Sequence, residues 1–322
     1  MEGKEKSPEA RNMRSRLKNQ TVYLIFVVIV VSIVATVLNP RFLTARNFFN
    51  VMQQISVLGI LSMCMALVMI SGHLDISIGN MAGLVGMVFT RMVLTGYSQF
   101  LSVVVVLAMA TILGLINGVI VAKSKTTPLI ITLGMMYVYQ GIALLISEGR
   151  PHSLGGRFQF LGRAKIGPIP FTIIVYLIIF GLAFFLRRYT TYGRRLNAIG
   201  GNRQAAFLSG INVDRHVISI YALSGLIVGL GGLVLASRLG MVRADSGLGY
   251  ELQALAAVII GGITFEGGRG SLVGAFFGVL LLGIMYNAMN IIGVSSYMQT
   301  MFLGAIIVIA TVVSNIGKKK SG

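Results

Sequence analysis

Apolar residues fall into ten long runs along this chain, separated by short polar stretches. The runs cover residues 21–38, 50–70, 80–95, 101–121, 129–146, 171–186, 217–236, 251–264, 271–290 and 297–314. A run of about 20 apolar residues is long enough to cross a hydrocarbon core as a helix. The runs are apolar on every side, whereas the strands of a membrane barrel alternate in polarity over about 10 residues. The third and eighth runs are short and adjoin Gly-rich stretches, which marks them as broken or partly re-entrant helices. The first run follows a basic segment, as the core of a cleaved leader would. It is longer than such a core and ends in Asn39-Pro40-Arg41 rather than a small-x-small site, so it reads as a retained first span. The predicted fold class is an all-α integral membrane protein of about ten transmembrane helices.

Composition narrows the picture. Apolar residues make up 55% of the 322 and charged ones 11%, against roughly 25% charged in a soluble domain. Too few polar side chains exist to cover a soluble globule, and the chain is too apolar to be disordered. A single cysteine, Cys64, rules out a disulfide framework. The net charge of +18 would suggest nucleic acid in a soluble protein; in a membrane protein it reports orientation first, and no nucleic-acid partner is expected. With ten spans both termini share a side. Placing them in the cytoplasm puts 18 Lys/Arg inside, including Lys123, Lys125 and six between Arg187 and Arg215, and nine outside. That bias predicts N-in, C-in topology. Residues 1–20 form a mobile cytoplasmic tail, 21–316 the membrane domain, and 317–322 a second cytoplasmic tail. The longest internal polar stretches are 187–216, on the inner side, and 147–170, on the outer.

Small residues recur four apart at Gly79/Gly83, Gly114/Gly118, Gly225/Gly229, Gly232/Ala236/Gly240 and Gly270/Gly274/Gly278. This spacing puts them on one helix face, where backbones approach closely. A weak internal repeat appears at an offset of 191: Asp75 matches Glu266, Gly79 matches Gly270, Gly83 matches Gly274, Leu61 matches Leu252 and Ala66 matches Ala257. Both copies read as apolar helix, acidic Gly-rich break, Gly-faced helix. Duplicated halves with broken helices are found in transporters.

Catalytic signatures are missing. No G-x-x-x-x-G-K-(S/T) loop is present to cradle phosphates. His73, His152 and His216 have no Cys or His at metal-ligand spacing. Cys64 lies mid-span between Met63 and Met65, the setting of a packed thiol. The acidic candidates Asp75, Glu251 and Glu266 sit at span edges or breaks, and no span has a carboxylate at its centre. That counts against ion-coupled transport, which commonly uses one. Neutral amides are better placed: Gln53, Gln54, Asn117, Gln140, Asn287, Asn290 and Gln299. Each can join helices by hydrogen bonds, and together they suit a path for a neutral polyhydroxylated solute.

Three stretches carry a family resemblance. Ser71-Gly72-His73-Leu74-Asp75-Ile76-Ser77-Ile78-Gly79 resembles an S-G-x-(I/L)-D-(L/I)-S-(V/I)-G segment. Tyr192-Gly193-Arg194, through Gly200-Gly201-Asn202 and Ala205-Ala206 to Ser209-Gly210-Ile211, resembles a G-R-x-x-x-A-x-G-G-N-x-x-A-A-x-x-S-G-I coupling region. Gly249-Tyr250-Glu251 runs on through Gly261-Gly262, Gly267-Gly268-Arg269-Gly270 and Gly274 to Gly293-Val294-Ser295-Ser296. These motifs are similar, in order, to the permease subunits of bacterial ABC importers of the ribose/monosaccharide type, across roughly residues 40–316. His73 and Glu266 depart from the usual pattern. The resemblance implies a permease subunit, not an enzyme, that moves a monosaccharide or similar solute by alternating access. It implies a separate cassette ATPase holding ATP and Mg, with no cofactor on this chain, an extracellular or periplasmic solute-binding protein, and a second permease subunit. It assigns ATPase coupling to Arg194, Gly200, Gly201, Asn202, Ala205, Ala206, Ser209 and Gly210. Asp75, Gln53, Gln54, Asn117, Asn287, Asn290 and Glu266 are the candidates for a path or gate. The alternative is a secondary transporter or facilitator that works without an ATPase.

Overall fold

The computed structural model describes residues 8–124 and 126–319; of residues 8–21, 310 and 313–319 only the backbone is described. Lys125, residues 1–7 and residues 320–322 therefore lie outside the described residues, and with them parts of both predicted tails.

Helices dominate. In chain order they are α1 (Pro8–Leu38), α2 (Ala45–Ile70), α3 (Ile78–Leu94), α4 (Gln99–Lys123), α5 (Pro128–Ser147), α6 (Phe160–Arg163), α7 (Phe171–Tyr189), α8 (Thr191–Gly201), α9 (Arg203–Leu208), α10 (Val213–Leu239), α11 (Tyr250–Ile260), α12 (Leu272–Ile291) and α13 (Ser296–Lys319). Four two-residue strands accompany them: β1 (His152–Ser153) pairs antiparallel with β4 (Met241–Val242), and β2 (Lys165–Ile166) with β3 (Ile169–Pro170). Each of the ten predicted spans has its helix. Among the described residues, α2, α4, α5, α7, α10 and α12 are long and apolar enough to cross a membrane, and four shorter apolar helices fill the remaining places. The helix of the first span begins at Pro8 rather than at residue 21. The polar stretch before the span contains helix-favouring Arg, Met, Leu and Lys and no break, so the helix of the span extends back through it.

Residue character sorts the helices into centre and rim. From Ile55 to Ile70 every residue of α2 is buried, as expected of a helix that is apolar all round. Around it pack α7, α10, α11 and α12. The outer helices α4, α5 and α7 bury only one stripe each and turn leucines, isoleucines and phenylalanines outward, the surface that lipid requires. The four-residue small motifs lie where helices meet. A Cβ on Gly114 would be driven into the Tyr221 carbonyl, and one on Gly225 into that of Ala110, so α4 and α10 touch backbone to backbone. Gly232 is closed off in the same way by Ala82 and Val85 of α3, and Gly274 and Gly278 by Gly261 and Ala257 of α11.

Two interruptions matter most. After α2 the chain leaves helix geometry until Ile78. After α11, which at 11 residues spans about 16 Å and so covers only half a hydrocarbon core, it does so again until Leu272. The two interruptions meet: the Gly268 amide, in the stretch after α11, donates to the Ile70 carbonyl at the end of α2 at 2.8 Å.

Close packing of α4 on α10 predicts an asymmetric response to bulk. Gly225→Leu should cost about 1–3 kcal/mol by overpacking. Gly181→Leu on the open face of α7, where a Cβ meets no atom within 4 Å, should leave stability unchanged. Thermal unfolding in detergent followed by circular dichroism checks both; equal melting temperatures for the two variants would contradict the packing assignment.

Candidate functional site

The sequence supplies an amphipathic rod at one end of the bundle. In α8, Gly193, Leu196 and Ile199 recur at three-residue spacing and are buried, while Arg194 and Arg195 face outward. The Thr190 hydroxyl accepts from the Gly193 amide at 3.2 Å and starts the helix. Asn202 caps α9 through its Oδ1, which accepts from the Ala205 amide at 2.9 Å, and Gly210 stops it with a φ of +78°. This is the cap and stop expected from the sequence. Ala206 is buried; Ala205, Ser209 and Gly210 face outward, and Phe207 and Leu208 are 68% and 77% exposed. A shallow groove of about 400 Å³ runs between Phe207 and the 210–214 turn. Lys123 and Arg203 both pair with Asp214, at 2.8 and 3.4 Å, fixing α9 to α4 and α10. Within α8, Tyr192 shares a 2.8 Å hydrogen bond with Ser219, and burial raises its phenol above the usual value.

The far end of α8 meets both helix breaks. Gly200 lies so close to the Ile70 carbonyl and the Gly268 amide that a Cβ would overlap them. Gly72 and Gly267 have φ of +80° and +78°, and a Cβ on Gly267 would come within 2.5 Å of the Gly72 backbone. Three main chains, from 70–72, 200–201 and 266–268, therefore touch without intervening side chains. Glycine is required at Gly267 both for the left-handed backbone and for the close approach.

The first break is closed by a chain of polar groups. Asp75, 1% exposed, accepts from the Ser77 amide at 3.0 Å and from its hydroxyl at 2.6 Å. Ser77 Oγ accepts from Asn117 Nδ2 at 2.9 Å, and Asn117 Oδ1 accepts from the Tyr139 hydroxyl at 2.7 Å. The remaining backbone of the break is met by side chains of neighbouring helices. The Ile76 amide donates to Thr132 Oγ1 at 3.2 Å, and the Tyr221 hydroxyl donates to the Leu74 carbonyl at 2.8 Å. Glu251, on α11, accepts from the Gly249 amide through both oxygens at 3.0 and 3.1 Å. Its carboxylate packs on Gly79, while Gly247 packs on Gly79 and Gly83. The two interrupted regions thus touch at a second level.

Of the predicted path or gate residues, the structure brings Asp75 and Asn117 into one chain. Glu266 is exposed at the three-way junction, its carbonyl beside Gly72. The others sit elsewhere. Gln53 donates to the Gly162 carbonyl at the opposite end of α2, and the Gln54 carbonyl accepts from Arg238 at 3.4 Å. Asn287 exchanges two hydrogen bonds with Asn47, at 2.9 and 3.0 Å, and Asn290 accepts from Gln299 at 2.8 Å. Gln140 is within 3.4 Å of Asn80. Ser271 caps α12 by accepting from the Gly274 amide at 3.2 Å, whereas Ser77 ahead of α3 makes no side-chain cap bond. The repeat holds in element order. Sequence reasoning missed Ser77, Thr132, Tyr139 and Tyr221. The one available signal was Ser77, two residues after Asp75, the spacing of a local side-chain-to-backbone turn.

Removal of the Asp75 side chain, which holds Ser77 just before α3, should loosen this break. Asp75→Ala is expected to cost about 1–3 kcal/mol, the usual range when a buried donor loses its acceptor, and to speed hydrogen exchange over residues 76–80. Asp75→Asn keeps an acceptor oxygen and should exchange more slowly than the alanine variant. Indistinguishable exchange in Asp75→Ala and the wild type would contradict the role of Asp75 in holding the break.

Comparison with known proteins bears on this arrangement. The family described as "Branched-chain amino acid transport system / permease component" matches residues 47–311. The ribose import permease of Escherichia coli K12 is 36% identical over 297 residues, 91% of this chain and 92% of the relative. The ribose import permease of Bacillus subtilis is 37% identical over 292 residues, 90% of each chain. The D-allose transport system permease of Escherichia coli K12 is 33% identical over 294 residues, again 90% of each. No solved structure matches. The chain belongs to the branched-chain amino acid transport system / permease component family, as a membrane-spanning transport subunit rather than an enzyme.

Proposed function

We propose that this multi-pass inner-membrane subunit imports a monosaccharide or similar small polyhydroxylated solute by alternating access, driven by ATP hydrolysis on a separate cassette ATPase. A solute-binding protein delivers the solute from outside, a second permease subunit completes the pathway, and ATP and Mg are held by the ATPase. The observation that carries this reading is the three-way junction, because it gives an external motor a direct mechanical route to both helix breaks. The relatives named for ribose and allose support the solute class.

In this reading both termini and α8–α9 face the cytoplasm, in line with the two-to-one excess of basic residues on that side. Arg194, Asn202, Ala205, Ser209, Gly210 and the exposed Phe207 and Leu208 meet the ATPase, with Ala206 seating α9 on the bundle. Other arginines of the segment lie near anionic lipid. Closure of the ATPase sites displaces α8. Gly200 passes the displacement to 70–72 and 266–268 at once, so α2–α3 and α11–α12 shift together. Asp75, Asn117 and Glu266 belong to the inner gate. Gln53, Gln54, Asn287 and Asn290, at the opposite end, lie on the outer half of the path. Amides there can donate to and accept from sugar hydroxyls without carrying charge into the membrane.

Reconstitution with the ATPase and binding protein tests the reading. Ribose uptake should stop when the ATPase cannot hydrolyse ATP; uptake at full rate would favour a facilitator. Within the junction, Gly200→Leu should insert and assemble yet lose uptake relative to ATP hydrolysis by about tenfold, which corresponds to about 1.4 kcal/mol. Gly201→Leu should be tolerated better, because a Cβ at Gly201 meets no atom within 4 Å. Unchanged coupling in Gly200→Leu would remove the junction from the mechanism.

A further inference from the structure

The structure assigns Arg187 as a positioning residue: we propose that its guanidinium is a strut tying the α8 rod to the start of α12, so that the second break follows the rod during transport. The inference rests on the ATP-driven reading above and adds to it a residue outside the coupling motif.

Arg187 and Arg188 are adjacent in the last turn of α7 and would be equivalent if they served only to hold this end in the cytoplasm. The fold separates them. Arg188 is exposed, whereas Arg187 is half-buried and turned into the bundle. Its Nη2 donates to the Gly270 carbonyl at 2.7 Å and lies 3.5 Å from Asn197 Oδ1 on α8. Gly270 immediately precedes Ser271, the cap of α12. One side chain thus reaches from the end of α7 to the middle of α8 and the entry of α12. No carboxylate pairs with Arg187 among the described residues. A half-buried cation held only by neutral oxygens gains little net stability, since leaving water offsets much of the attraction. What it contributes is geometry: a planar fork reaching two oxygens on different elements, which an ammonium cannot reproduce in the same way.

The elbow behind it is stiff. Gly193 is pressed onto the backbone of Leu186 and Arg187, where a Cβ would collide. Thr190 bonds both the Leu186 carbonyl and the Gly193 amide. Movement of α8 therefore carries the base of the Arg187 side chain with it. The rod reaches the second break at two places, by backbone contact of Gly200 and Gly201 with Gly268 and by the Arg187 fork at Gly270. It meets the first break through Gly200, which packs on Ile70 and Gly72. Loss of the fork should weaken the link to α12 while leaving the contact with α2 in place.

The test compares Arg187→Met, Arg187→Lys and Arg188→Met in the complete complex, reconstituted in proteoliposomes with ATPase and binding protein and supplied with radiolabelled ribose. The readout is ATP hydrolysed per ribose imported. Arg187→Met should raise that ratio roughly 3- to 30-fold, the range expected for a coupling residue. Arg187→Lys should fall between it and the wild type, and Arg188→Met should match the wild type. Asn197→Ala, which keeps the charge and removes one acceptor, should shift the ratio in the same direction by less, and it carries the test if Arg187→Met does not assemble. A wild-type ratio in both Arg187→Met and Asn197→Ala, or equal effects of Arg187→Met and Arg188→Met, would overturn the strut. ATP-independent uptake by the wild type would instead overturn the reading on which it rests.

Discussion

A helix interrupted inside a membrane releases amide and carbonyl groups that lipid cannot satisfy, so each break must find its partners within the protein. The rest of this structure follows from that constraint. The first break is satisfied by Asp75, Thr132 and Tyr221, drawn from the break itself, α5 and α10. The two breaks also satisfy each other, through the bond from the Gly268 amide to the Ile70 carbonyl. Partners for the broken backbone are thus supplied by the break itself, α5, α10 and the opposite break, and the central helices are held in one arrangement by the same bonds.

Close approach follows from the same requirement. A direct main-chain bond between 70 and 268 leaves no room for side chains, and Gly72, Gly200 and Gly267 meet that condition. The tip of α8 enters the space they leave. A segment that is polar and basic on its outer face, and backbone-thin at its end, thereby reaches the least regular part of the membrane domain. Packed interiors move between discrete arrangements rather than deform smoothly. A displacement of α8 in this setting repositions whole helix pairs, which alternating access requires.

Much of this was legible in the sequence. Ten apolar runs became ten helices, and the short third and eighth runs adjoin the two breaks. Glycines four apart marked the contacts of α4 with α10 and of α11 with α12, because close helix packing imposes a local period. The cap at Asn202 and the stop at Gly210 were readable because capping is decided by neighbouring residues. What could not be read was long-range. Asn117 is a candidate for the path, and its bonds to Ser77 and Tyr139, forty residues before it and twenty-two after, had no signal in the sequence. Nor did the sequence say that Gln53 and Asn287 lie at the opposite end from it. Arg187 looked like a topology signal, since nothing near it in the sequence says that Gly270 will be its acceptor.

The central claim is that the tip of α8 and the second break move as one body. A reducible thiol cross-linker joining Gly201→Cys to Arg269→Cys, the residue that follows Gly268 and its contact with Gly201, tests it most directly, with ribose uptake measured in reconstituted complexes before and after cross-linking and again after reduction. If the two segments travel together, the cross-linked permease keeps ATP-driven uptake close to the level before cross-linking. Loss of uptake on cross-linking and its recovery on reduction would mean that they must separate during transport, and would contradict the account.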